Sequence, residues 1–427
     1  MKITTHAVRG AAALGAAALV LTACSSGDEG GSSSSSAPAE SSSSSAAAGE
    51  GLKIGSLLPA TGSLAFLGPP EIAGVDLAVQ EINEAGGVLD MDVMHIAADS
   101  SDADHADVAP QSWSDLQSQG VSVVIGAASS SVTKLVVDDI TNAKVVQISP
   151  ANTATSLSGY SPFYYRTAPP DTVQGSALGN LIVSDGITDL GILVFNEEYG
   201  TSLRDVVKST VEEAGVKVTY GDKGQEFDPA AASFTDAVTS ILATKPQAIA
   251  LLAFDQTKSI VPELVAQGFA GKLYLVDGNT SDYSKDFDPG TLAKWNTQGT
   301  IPGAFPDDAF QQRLKAVNPD LKDYSYGPES YDATILAALA AVKGGAIDGA
   351  TIQANLAAVS GATGGEECAD FKACVELIKA GKEIDYKAAS GAGPFNDKND
   401  PSSAFIGIYK YAEDNSYAWV KAVEGKA

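Results

Sequence analysis

The chain has 427 residues, 44% of them hydrophobic and 19% charged, an ordinary globular composition with length for two or three domains. Its 27 Lys and Arg stand against 53 Asp and Glu, a formal net charge of −26 with no basic patch. Nucleic acid and anionic membrane surfaces are therefore excluded as direct electrostatic partners.

Lys2 and Arg9 flank the start of an apolar run from Ala11 to Leu21, too short to span a membrane and of the length found in signal peptides. Residues 1–23 read as a signal peptide and the protein as exported. Their removal leaves 25 basic against 53 acidic residues, a net charge of −28. Leu21-Thr22-Ala23-Cys24 resembles the bacterial lipoprotein signal, in which small residues precede a cysteine that becomes lipidated. That resemblance implies Cys24 as the lipidated N-terminus. Residues 24–51 continue almost wholly in Ser, Ala, Gly and Glu, a composition that cannot bury enough apolar area to offset its ordering entropy. A disordered tether is expected there, spanning on the order of 30 Å root-mean-square.

Leu52 to Leu58 reads as a first strand, running into Pro59-Ala60-Thr61-Gly62-Ser63 with Phe66 and Leu67 at the loop tip. Pro69 and Pro70 open a helix on which Ile72, Val75, Ala78, Val79 and Ile82 recur at helical spacing until Gly86-Gly87. A second strand, Val93 to Ala97, ends in Asp99-Ser100-Ser101-Asp102, and a helix leads on to Val121. From there two short apolar runs, Val121 to Ile125 and Val145 to Ile148, flank a helix entered at about Ser130, the pattern of a βαβ unit with buried parallel strands. The clusters Ser129-Ser130-Ser131 and Ser149-Pro150-Ala151-Asn152-Thr153 then fall at strand C-termini, the edge of an open α/β sheet where small ligands bind. The free N–H groups of the helix suit an anionic guest. Ser and Thr also cap helices, so a purely structural role stays open for either cluster.

The rhythm resumes with a helix from Gly175 to about Ser184, strand Leu190 to Phe195, Asn196-Glu197-Glu198-Tyr199-Gly200 and a helix ending at Gly215. Val216 to Tyr220, a helix over Ser233 to Ala243, strand Ala248 to Phe254 and the run Leu273 to Val276 follow. Three more strand C-termini thus present Tyr199, Asp255 and Asp277. Aspartates after strands also serve as turn residues, and Tyr199 also fits a packing role. Residues 299–393 are helix-rich, with an apolar helix from Tyr331 to Val342 stopped by Gly344-Gly345. Cys368 and Cys374 are the two cysteines left once Cys24 is lipidated, and an exported chain favours a local disulfide between them. No metal site is expected: His6 leaves with the signal, and only His95 and His105 remain.

One set of segments carries a family resemblance: Leu57-Pro59-Thr61-Gly62, Ala85-Gly86-Gly87-Val88, Gly126-Ala127-Ala128-Ser129-Ser130, Ile148 to Thr153, and Tyr164-Arg166-Thr167. Together they resemble the leucine/isoleucine/valine-binding proteins, substrate-binding subunits of ABC importers. The resemblance implies two doubly wound parallel α/β lobes joined by a three-segment hinge, the type I periplasmic binding protein fold. Lobe 1 would comprise 52–168 and 299–393, and lobe 2 would comprise 169–298 and 394–427, the last segment with a closing hairpin. It implies a monomer held at the outer face of the cell membrane by Cys24. Such a protein captures an amino acid or related small polar compound and delivers it to permease subunits, without a cofactor or metal. Carried onto matching positions, Ser130 and the Thr153 backbone would hold a carboxylate. The Asn152 carbonyl, the Thr153 hydroxyl and Asp277 would hold an ammonium, and Tyr199 and Leu67 would line the side-chain pocket beside Phe66. The chain departs from the pattern in placing Asp255 where an aromatic residue is usual and Leu67 where Trp is common. A buried extra carboxylate suits no aliphatic ligand, so Asp255 either turns to solvent or marks a more polar or cationic guest. A sensor handing occupancy to a membrane receptor uses the same fold. A hydrolase is disfavoured, since Gly-x-Ser-x-Gly and phosphate-binding glycine motifs are missing and no base stands near Ser129 to Ser131 in sequence.

Overall fold

A computed structural model describes residues 49–427; the signal segment, Cys24 and nearly all of the linker lie outside them. Along the chain come β1 (Lys53–Leu58), α1 (Gly68–Glu84), β2 (Met94–Asp99), α2 (Val108–Ser118), β3 (Val123–Gly126), α3 (Ser130–Asn142), β4 (Val146–Ser149) and β5 (Tyr164–Arg166). The five strands form one parallel sheet in the order β2-β1-β3-β4-β5. β3 and β4 are buried along their whole length, because helices cover both faces of a doubly wound sheet. The second strand runs two residues beyond the expected Ala97, carrying Asp99 to the sheet edge, where its carboxylate accepts from the Ala60 and Thr61 amides. β5 was not anticipated; three residues are too few to show a period.

The second sheet is built from α4 (Asp171–Ser184), β6 (Asp189–Val194), α5 (Glu198–Glu213), β7 (Lys217–Tyr220), α6 (Thr235–Ala243), β8 (Ala248–Leu252), α7 (Thr257–Ala266), β9 (Lys272–Leu275) and β10 (Gln298–Pro302). The chain then returns to the first lobe as α8 (Asp308–Val317), α9 (Gly327–Gly344), α10 (Gly349–Val359), β11 (Glu366–Cys368), α11 (Phe371–Lys379) and β12 (Ile384–Tyr386). It finishes in the second with β13 (Ser403–Tyr411) and β14 (Tyr417–Lys426), giving a seven-stranded order β14-β13-β10-β9-β8-β6-β7. In this sheet β13 is antiparallel to both its neighbours, β10 and β14, and the remaining pairs are parallel.

The chain therefore crosses between the sheets three times. The crossings lie later than the expected 298/299 and 393/394 boundaries. β10 pairs with β9 and β13, so it belongs to the second sheet through Pro302, and Phe395 still packs in the first core, its ring 5.1 Å from Tyr165. α1 and α9 cross closely because Gly74 has no side chain: a Cβ there would stand 2.2 Å from the Gly327 carbonyl oxygen. Cys368 and Cys374 are disulfide-bonded with their Cα atoms 5.3 Å apart, stapling β11 to α11.

Candidate functional site

α3 begins where a strand leaves the sheet edge. Ser129, in extended conformation, caps it by accepting from the Val132 amide, so a capping role for this cluster is real. On the same edge Ser149 Oγ accepts from the Asn152 amide and donates to Ala127. Asn152 is locked by its side chain, which donates to Thr133 and accepts from the Tyr164 hydroxyl. Arg166, fully buried, pairs with Asp400 at 2.7 Å and reaches the Ala154 carbonyl at 2.9 Å and the Asn152 carbonyl at 3.5 Å. The Asn152 carbonyl, expected to meet an ammonium, is thus shared with a guanidinium. Thr153 is buried with its hydroxyl unpartnered.

The second lobe supplies the facing wall. A single helical turn, Asp277–Asn279, follows β9, and Asn279 anchors it by bonding back to Val276, Leu251 and Thr257. The turn places Asp277, 6% exposed, under three donors: Gln174 Nε2 at 2.6 Å and the Tyr199 hydroxyl at 2.5 Å on Oδ1, and the Tyr326 hydroxyl at 2.6 Å on Oδ2. Burial pushes the Asp277 carboxyl up and the three donors pull it back. Burial and the Asp277 charge hold both phenols well above their usual range, so they remain donors. A carboxylate offers about four acceptor positions; one on Oδ2 is left.

These walls enclose a cavity of about 20 Å³ between the lobes, room for about one water molecule. Ser130, Leu67, Tyr199, Asp277 and the Asn152 side line it. An amino acid enters only if the lobes part. Thr153 stands just outside the lining, and Phe66 faces a different pocket. Asp255 is a correction: its side chain is 52% exposed and pairs with Lys258 at 2.7 Å. β8 ends at Leu252, two residues before the expected Phe254, and it is Phe254 that enters the cavity, stacked on Tyr199 at 5.7 Å. Gly278 makes room for that ring; a Cβ there would lie 2.7 Å from it. The aromatic residue thought missing is present one position earlier.

Sequence reasoning also missed Glu197. At 7% exposure it reaches from the start of α5 across to the first lobe, where Oε1 accepts from Ser129 Oγ at 3.1 Å and from the Ser131 amide at 3.2 Å. Beside it Glu198 meets Lys134 at 2.6 Å and Ser156 at 2.5 Å, and Ser202 meets the Thr155 amide at 2.9 Å. The positive end of α3, read as an anion site, is in part engaged by a carboxylate of the opposite lobe. Burial pushes Glu197 up, and the Ser131 and Tyr199 donors offset part of that. Asp171, the first residue of α4, is a second buried acid nearby. Burial pushes it up to about 7, with Ser202 and Thr153 close enough to pull against that without well-formed hydrogen bonds. Among the described residues no group of three His, Cys, Asp or Glu side chains is placed to hold a metal.

Residues 51–394 match the family model described as periplasmic binding protein. A chemotactic signal transduction system substrate-binding protein of Halobacterium salinarum is 26% identical over 372 residues, 84% of this chain and 87% of that one. A leucine-, isoleucine-, valine-, threonine-, and alanine-binding protein of Pseudomonas aeruginosa is 33% identical over a shorter stretch, 40% of this chain and 46% of that one. Among solved structures, a leucine binding protein of Thermotoga maritima superposes with a TM-score of 0.70 at 17% identity, covering 87% of this chain and 98% of that one.

Proposed function

The chain belongs to the periplasmic binding protein family, and from that premise we propose that it captures an amino acid of the branched-chain type, or a related small polar compound, between its lobes and delivers it to an ABC permease. Family membership makes it a binding protein acting outside the cytoplasm and not an enzyme. The observation that carries the ligand class is the polarity of the cavity between the lobes. Ser130 supplies a donor on one side, with the buried, unpartnered Thr153 hydroxyl just outside the lining, and Asp277 supplies a buried acceptor on the other. That arrangement suits a zwitterion, with the carboxylate toward α3 and the ammonium toward Asp277. Leu64, Leu67, Tyr199 and Phe254 offer apolar area for a side chain. The ligand stabilises the closed form through contacts to both lobes, and the closed form docks on the permease. With Asp255 turned to solvent, the reason to expect a cationic guest in this cleft is gone.

A thermal-shift screen of amino acids, short amides, urea, polyamines and aromatic acids tests the reading, since a ligand of the folded state raises its melting point. Branched-chain amino acids should head the ranking; no response to any α-amino acid would overturn it. The role of the Halobacterium salinarum relative in chemotactic signal transduction supports a second reading, a sensor for a membrane receptor. Stimulation of a co-reconstituted permease's ATPase by the liganded protein would decide for transport. The lipid anchor is part of the proposal: Cys24→Ala should abolish incorporation of labelled fatty acid, and label retained in that variant would refute it.

A further inference from the structure

Behind Tyr326 lies a larger pocket, about 630 Å³, within the range of small-molecule sites. Tyr326 is the partition: its ring lines this pocket and the cleft cavity alike. The outer wall is a run of aromatic rings from the β13–β14 hairpin and the loop after β10. Phe305 lies 6.1 Å from Trp419 and 6.4 Å from Tyr409, and Tyr409 lies 5.4 Å from Tyr417. Phe305 and Trp419 are 43% and 45% exposed, unusual for large aromatic residues on a free surface. Three acids join the lining, Glu329, Asp323 and Asp282, against one basic residue, the exposed Lys322.

Glu329 matters most. It is 2% exposed, and among the described residues no side chain donates a hydrogen bond to its carboxyl. Burial, with Asp332 nearby, holds it well above the usual carboxylate range, and Glu71 feels its charge in turn. Burial alone keeps such a group protonated, whereas a cation seated beside it favours the carboxylate and becomes its counter-charge. Aromatic faces attract cations through their quadrupoles, most of all weakly hydrated quaternary ammonium groups. Asp323, already accepting from the Tyr417 hydroxyl at 2.9 Å and the Ser325 amide at 2.7 Å, is fixed in the lining as a second acid.

We propose that this pocket is a second binding site, distinct from the cleft, for a small organic cation of the quaternary ammonium class, held by the Phe305, Tyr409, Tyr417 and Trp419 rings with Glu329 as counter-charge. The site does not depend on the amino-acid reading of the cleft.

Trp419 reports on it directly, because the other two tryptophans, Trp113 and Trp295, are buried elsewhere. The probes are choline and its neutral isostere 3,3-dimethylbutan-1-ol, followed by tryptophan emission and by calorimetry. Choline should give a saturable change in emission, with the isostere at least about tenfold weaker. Glu329→Gln should weaken choline about fivefold or more and leave the isostere unchanged; Asp323→Asn serves as the second variant should Glu329→Gln fail to fold. Trp419→Phe should remove the optical signal while calorimetry still detects binding. Equal affinity for the two probes, or no saturable binding of choline, would overturn the proposal. So would loss of choline binding in Asp277→Asn with Glu329→Gln unaffected, which would put the cation in the cleft.

Discussion

Asp171 is buried at the first turn of α4 with neither carboxylate oxygen well paired, and its carboxyl is pushed from an ordinary 3.8 up to about 7. A group whose folded value is raised contributes stability that is fully present below the unfolded value and lost as pH rises through the folded one. At about 1.4 kcal/mol per unit, the cost of holding the charge at pH 8 reaches a ceiling of about 4 kcal/mol, against about 1 kcal/mol at pH 4.5. Asp171→Asn removes that titration. The amide is itself buried without a good partner, which costs about 1–3 kcal/mol at every pH. The net gain at pH 8 is therefore smaller than the ceiling, but its pH dependence survives. Urea denaturation of parent and variant at pH 4.5 and pH 8 should show the variant gaining about 3 kcal/mol relative to the parent between the two. Comparing variant with parent cancels the other buried acids, Glu71 and Glu329 among them. A variant-minus-parent difference independent of pH would refute the reasoning.

The contact across the lobes by Glu197 should appear as a coupling of about 1–2 kcal/mol in ligand affinity in a double-mutant cycle between Ser129→Ala and Glu197→Ala; additive effects would show that closure does not use it. Arg166→Met should destabilise by about 3–5 kcal/mol in chemical denaturation, because Asp400 is left charged and buried, while Arg166→Met with Asp400→Leu should recover most of the loss. Replacing Cys368 and Cys374 by Ala should lower unfolding stability by about 2 kcal/mol on the chain-entropy model and leave calorimetric affinity unchanged.

The βαβ unit from Val121 to Thr155 could be read from residues alone because each strand is a short apolar run bounded by small polar residues, and Ser129 caps the helix at the place its type suggests. Ser130 and Asp277 could be placed at strand ends for the same reason. Phe254 was misjudged on where its strand ends. Successive residues alternate in facing only within a strand; β8 ends at Leu252, so residues 253–255 have left it and alternation no longer sets which of Phe254 and Asp255 meets the cleft. Glu197 left no local signal at all. Its partners Ser129 and Ser131 are 68 and 66 positions away and come together only when the lobes close. Tyr326 is similar: it sits in a left-handed turn before Gly327-Pro328, where no period points anywhere, and its role comes from a partner 49 positions away, the Asp277 carboxylate. The later crossings after Pro302 and Phe395 follow from strand pairing, a non-local choice.

The most direct test of the account is calorimetric titration of the amino acid that gives the largest thermal shift, into the parent and into Asp277→Asn. The substitution keeps the shape under Gln174, Tyr199 and Tyr326 and removes the charge that an α-ammonium needs once closure strips its water. Affinity should fall by about two to four decades, roughly 3–5 kcal/mol, while Asp255→Asn, at the exposed pair with Lys258, should bind like the parent. Binding by Asp277→Asn within about threefold of the parent, a difference under about 1 kcal/mol, would contradict the account.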